Sequence, residues 1–90
     1  MIVLILEKVP PSLRGEMSRW LLEVKTGVFV GRISALVREE LWKLVVKKVR
    51  QGSAMLIYPA KNEQGFEIRA VGESQRVVED IEGLFLMKVR

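Results

Sequence analysis

Two unbroken aliphatic runs constrain this chain more than any other feature. Ile2-Val3-Leu4-Ile5-Leu6 is closed by Glu7-Lys8 and then by Pro10-Pro11, and Ala54-Met55-Leu56-Ile57-Tyr58 is closed by Pro59. A strand with one wet face alternates apolar and polar residues, so a run without alternation reads as a strand buried on both faces. Neither run approaches the roughly 20 apolar residues that span a bilayer. A chain of 90 residues has room for one domain, 1–90. A domain of that size buries only about 60–65% of the surface its unfolded chain exposes. With 49% hydrophobic residues and a mean hydropathy of +0.17, the chain carries more apolar surface than one such domain hides, and an oligomer is expected.

The remaining segments separate by period. Leu13, Met17, Trp20, Leu21 and Val24 recur at helical spacing, opposite Arg14, Glu16, Arg19, Glu23 and Lys25. They predict an amphipathic helix with Ser12 as its cap and Gly27 as its stop. Val28-Phe29-Val30 between Gly27 and Gly31 predicts a short strand. Ile33, Val37, Leu41, Leu44, Val45 and Val49 mark a longer helix opened near Ser34 and ended by Gln51-Gly52, with Glu39 and Lys43 paired one turn apart on its wet side. Lys61 to Gly65 is a polar turn of hairpin length, and Phe66 to Val71 alternates as an antiparallel strand does. Gly72 to Glu82 is polar apart from Val77 and Val78, and Gly83 to Val89 reads as a last apolar strand.

This order describes an α+β, ferredoxin-like sandwich: two helices on one face of a mostly antiparallel sheet. The ideal order has two strands between the helices, and periodicity yields one. Two helices cover one face only, whereas the aliphatic runs send side chains to both. A sheet-to-sheet homodimer would cover the second face, with Leu84 to Met87 a candidate to pair across it. The rival is an RNA-recognition module, which leaves that face open and lines it with aromatics. Val, Leu and Ile stand there instead, which favours the dimer.

Composition prunes the chemistry. There is no Cys and no His, and Asp80 is the only Asp, so thiol nucleophiles, imidazole bases and the usual zinc sets are excluded. The apolar start lacks the basic region of a secretory signal, and the expected address is the cytoplasm. Glu7 stands out because a carboxylate directly after five aliphatic residues is costly unless solvated, paired or bound to a cation. Solvation, or pairing with Lys8 or Arg14, is the plain reading. Two copies of Glu7 across a twofold axis would supply paired acids for Mg²⁺-assisted phosphodiester cleavage. Fifteen basic against eleven acidic residues give a net charge of +4, which suits a phosphate backbone. Lys43, Lys47, Lys48 and Arg50 form a patch on the second helix, while Arg14, Arg38 and Arg76 are isolated in sequence. Trp20 falls in the core stripe of its helix, and Trp42 flanks the second stripe at a core edge or an interface. Gly27 and Gly31 lack the lysine of a phosphate loop and read as turn punctuation.

Taken in order, Glu7-x-Val9-Pro10-Pro11-x-Leu13-Arg14-Gly15, Trp20-Leu21-Leu22-Glu23-Val24, Gly27-Val28-Phe29-Val30-Gly31 and Ser34-Ala35-x-Val37-Arg38-Glu39 form a pattern that Trp42, Gly65-Phe66-Glu67 and Gly83-Leu84 continue. It resembles the second of the two universal CRISPR adaptation proteins, in the short form of subtype I-E systems. The resemblance implies a homodimer that bridges two dimers of the CRISPR integrase and lies under the duplex of a new spacer, its basic residues on double-stranded DNA phosphates. Many members of that family are also described as metal-dependent endoribonucleases or deoxyribonucleases using an acid at the end of the first strand. Glu7 holds that position here, where most of the wider family has Asp. Arg14, Arg38 and Arg76 match basic positions of the family; Ser12, Leu36 and Gln75 fall where further basic residues are expected. A binding scaffold is therefore the leading expectation, a Mg²⁺-dependent nuclease using Glu7 the second, and an interaction module without nucleic acid the third.

Overall fold

The computed structural model describes residues 1–72. The predicted strand from Gly83 to Val89, its Leu84 to Met87 segment and Arg76 lie outside the described residues. Within them the elements are β1 (Ile2–Glu7), α1 (Pro11–Met17), β2 (Leu22–Lys25), β3 (Val28–Gly31), α2 (Ala35–Lys48), β4 (Ser53–Pro59) and β5 (Phe66–Val71). The strands form one antiparallel sheet in the order β2-β3-β1-β4-β5. This is the ferredoxin-like α+β arrangement, and β5 extends it by one strand.

The first aliphatic run lies at the centre of the sheet. Leu4 of β1 is paired with Phe29 of β3 on one side and Leu56 of β4 on the other. Strand alternation sends Ile2, Leu4 and Leu6 to the helix face, where they are buried, and Val3 and Ile5 to the opposite face, where they are half-buried. β4 divides in the same way: Ala54, Leu56 and Tyr58 are buried in the core, whereas Met55 and Ile57 are half-buried on the far side. Leu13 and Met17 of α1 and Leu41 and Val45 of α2 complete one continuous core with these residues. The register places Val3, Ile5, Val28, Val30, Met55, Ile57, Ile68 and Ala70 on the face without helices. The unbroken aliphatic pattern thus corresponds to one face packed by helices and one apolar face left by the described elements.

The longest departure from the sequence reading lies at residues 18–25. The first helix ends at Met17, where Ser18 caps it, and the backbone N–H groups of Trp20 and Leu21 both turn back to the Met17 carbonyl. Leu22–Lys25 is β2, the second strand between the helices that periodicity did not supply. Trp20, predicted in the core, is 55% exposed, and Val24 is also exposed. Period 3.6 and period 2 coincide over so short a stretch, and the two-residue turn Thr26-Gly27 decides between them. Gly27 ends no helix. It sits at φ +80° in the β2–β3 turn, a Cβ there would meet the Leu6 carbonyl, and its own carbonyl accepts from Leu6 N–H at 2.7 Å. Ser12 is not a cap either: Pro10 precedes the first turn, with no side-chain capping bond.

The second helix begins as expected, with Ser34 Oγ accepting from Val37 N–H at 3.2 Å. Its surface pairing differs: Lys43 pairs with Glu40, and Glu39 turns elsewhere. The polar hairpin loop is confirmed, with Asn62 Oδ1 accepting from Gly65 N–H at 2.7 Å. No helix among the described residues is long and apolar enough to cross a membrane.

Phe29 is fully buried on β3 against the central strand. Its replacement by Ala is expected to cost ~3–5 kcal/mol, measured by urea unfolding at one fixed protein concentration. A loss below ~1 kcal/mol would show that the site is not close-packed.

Candidate nucleic-acid interface

Glu7 ends β1 with its side chain exposed, on the same strand face as Val3 and Ile5. It pairs with neither Lys8 nor Arg14. The neighbouring strand supplies its partner: Ser53 Oγ donates to Glu7 Oε1 at 3.4 Å, across the register Glu7–Ser53. Close backbone packing fixes this corner, since a Cβ on Gly52 would collide with the carbonyl oxygens of Glu7 and Lys8. Lys8 itself adopts φ +57°.

Arg14 projects from α1 to the opposite edge of the sheet, its Nε 3.4 Å from Glu23 Oε2 on β2. The contact is an ion pair without hydrogen-bond alignment, and among the described residues that buried Nε has no hydrogen-bond acceptor. Glu23 has a second duty, accepting from Gly27 N–H at 2.9 Å, so it holds the hairpin turn.

Arg38 lies in a different cluster, on the first turns of α2. Its guanidinium stacks over the Tyr58 ring, 4.2 Å from the centroid, and contacts Glu39 Oε2 through Nε at 3.0 Å and Nη2 at 2.9 Å. Arg69 of β5 joins the same group, its Nη1 donating to Glu39 Oε1 at 2.7 Å and its Nε to the Tyr58 hydroxyl at 3.0 Å. The hydroxyl in turn donates to Glu67 Oε1 at 2.7 Å. Arg14 and Arg38 therefore share no partner. On α2, Lys43 and Lys48 are paired with Glu40 and Glu16, and Lys47 is exposed; Arg50, expected on the same helical stripe, lies beyond the helix end at φ +58° and is exposed there. Trp42, half-buried, packs at the core edge.

Sequence reasoning missed Glu39, Tyr58, Glu67 and Arg69 as a group. Strand alternation could have placed Glu67 and Arg69 on one face of β5. Only the β4–β5 register, which pairs Tyr58 with Glu67, and the packing of α2 bring in the rest.

With this geometry, comparison with known families is decisive. The sequence model of one CRISPR-associated protein family, Cas_Cas2CT1978, matches residues 1–86. The chain belongs to that family. Among the described residues of one protomer, the oxygen ligands brought together at Glu7 are a single carboxylate and a serine hydroxyl, so a magnesium ion, as the family resemblance implies, would be held there by Glu7 with waters and a substrate phosphate or a second carboxylate. No group of three or more potential ligands is found among the described residues, and magnesium sites use one or two carboxylates with waters and substrate phosphates.

The Arg38–Tyr58–Arg69 cluster has a titration signature. The Arg69 hydrogen bond, reinforced by Arg38, holds the Glu39 carboxyl below the ordinary glutamate range against the opposing effect of burial. Burial and then the bond to Glu67 push the Tyr58 phenol up. A carboxyl more acidic in the folded chain than in the unfolded one stabilises the fold above its unfolded pKa, about 4.3, and loses that contribution as pH falls through the lower folded value. The wild type is expected to exceed Glu39→Gln in stability at neutral pH, with the gap closing only in the acid range below about 4.3. Urea unfolding of both proteins across that range measures it, and a gap of constant size would reject the assignment.

Proposed function

We propose that this protein is a CRISPR adaptation scaffold: a cytoplasmic homodimer, of the short subtype I-E form, that bridges integrase dimers and holds duplex DNA through its phosphates without sequence preference. The observation that carries this reading is the family match over residues 1–86. The apolar sheet face supports the dimer, because Val3, Ile5, Val28, Val30, Met55 and Ile57 form a continuous surface that a second copy would remove from water. Net charge supports the ligand: +4 per chain becomes about +8 in a dimer. Arg14, Arg38 and Arg76 are the phosphate contacts in this reading, with exposed Lys8, Lys47 and Arg50 adding to the field around them.

Duplex affinity is then expected to fall with salt at a slope of about −0.9 for each phosphate neutralised. Replacing Arg14 by Ala removes one contact per protomer, so the slope of the dimer should weaken by about 1.8. Fluorescence anisotropy with random-sequence duplexes at several salt concentrations measures this. A flat salt dependence would overturn the scaffold reading, and an unchanged slope in the variant would remove Arg14 from the contact set.

A second reading, a metal-dependent nuclease, is favoured by one observation: Glu7 lies on the apolar sheet face, where a twofold contact would bring two copies to the same surface. On the scaffold reading, Glu7→Ala leaves duplex affinity and integrase capture unchanged. On the nuclease reading, the same substitution abolishes Mg²⁺-dependent cleavage of RNA or DNA. One purified variant, assayed for binding and for cleavage, separates the two.

A further inference from the structure

Arg38 and Arg69 reach the same aromatic ring from different elements. Their guanidinium carbons lie 4.2 Å and 5.0 Å from the Tyr58 ring centroid. Two cations gathered around one ring repel each other. A single carboxylate reconciles them, because Glu39 gives Oε2 to Arg38 and Oε1 to Arg69. Glu67 completes the arrangement by accepting the Tyr58 proton, which leaves the phenol oxygen free to accept from Arg69 Nε. Both guanidinium planes are thereby fixed.

The contrast with Arg14 is instructive. Its partner Glu23 also binds a backbone N–H and holds a turn. Among the described residues, the Glu39 side chain bonds only to the two arginines. A carboxylate with its two oxygens divided between two guanidiniums stands where two oxygens of a phosphate would stand, since Arg presents a planar fork of donors to either anion. The group also opens to solvent: side-chain exposure is 19% for Arg38, 34% for Arg69 and 37% for Glu39. A ligand can approach, and Glu39 can swing away into water.

We propose that Arg38, Arg69 and the Tyr58 ring form a phosphate-binding site whose resident occupant is the Glu39 carboxylate, so that Glu39 competes with nucleic-acid phosphate for the arginine pair. This rests on the duplex-binding reading and deepens it. It adds Arg69 to the contact surface, and it makes the adjacent acid a brake on Arg38.

The test uses the full chain as wild type, Glu39→Gln, Glu39→Ala and the double variant Glu39→Gln/Arg69→Ala. Each is titrated with pyrophosphate while the Arg38 and Arg69 Nε–H signals are followed by NMR, and separately with a random-sequence duplex at several salt concentrations. Removing the carboxylate charge is expected to tighten pyrophosphate binding about tenfold, the worth of one charge-assisted hydrogen bond. Both arginine signals should shift in the single variants, and the double variant should lose the gain. Duplex affinity should rise in Glu39→Gln, with the salt slope steeper by about 0.9 for each phosphate gained. Pyrophosphate binding unchanged by both Glu39 substitutions would overturn the proposal, whatever the duplex does. Tighter pyrophosphate binding in a protein that binds no duplex in any form would sustain the site and overturn the duplex reading instead.

Discussion

Everything in this fold depends on the pairing of β1 on both edges. The strand carries five aliphatic residues in a row, and hydrogen bonding to β3 and β4 satisfies its backbone while alternation divides its side chains between two faces. The helix face gains Leu13, Met17, Leu41 and Val45 as cover. Among the described residues the other face gains no helix, and with Val28, Val30, Met55, Ile57, Ile68 and Ala70 beside Val3 and Ile5 it stays apolar across four strands. A soluble surface rarely leaves such an area open. The excess hydrophobicity of the sequence is thus localised to one side of one sheet, and dimerisation is the proposal that follows most directly from the central strand.

The same strand organises the polar groups. Its C-terminal end brings Glu7 against Ser53, while its Leu6 anchors the β2–β3 turn at Gly27. That turn is held from the other side by Glu23, which also receives Arg14. Next to the β5 edge, β4 presents Tyr58 to arginines from α2 and β5. Carboxylates accompany both described arginines of the expected contact set, but their roles differ. Glu23 is committed to a backbone N–H, whereas among the described residues the Glu39 side chain serves only the arginines. Basic residues that look equivalent in a list of charges are therefore held by unequal partners.

Much of the fold was legible from pattern alone. The two aliphatic runs, the Ser34-capped helix, the Lys61 to Gly65 turn and the alternation of Phe66 to Val71 each correspond to an element in the expected place. Residues 18–25 were not legible, because Leu13, Met17, Trp20, Leu21 and Val24 satisfy a helical period by coincidence, and the local cost of ending the helix at Met17 is offset only by pairing with β3. Trp20 changed from a core residue to an exposed one for that reason. Of the site, Glu7 and the isolated arginines were visible as charges in unusual settings. Their partners were not, since Ser53 lies 46 positions from Glu7 and Arg69 lies 30 from Glu39.

The sequence by itself determined an α+β domain with an apolar central strand, a surplus of buried-type side chains and a positive balance of charge, because those follow from residue type and short-range period. The tertiary structure alone decided which acid meets which base. Ion pairing and cation–π contact depend on distances of a few ångströms between side chains that strand register and helix packing bring together, and no local pattern encodes those distances. The grouping of Arg38, Glu39, Tyr58, Glu67 and Arg69 is such an outcome: a helix and a hairpin, each readable alone, meet over one ring.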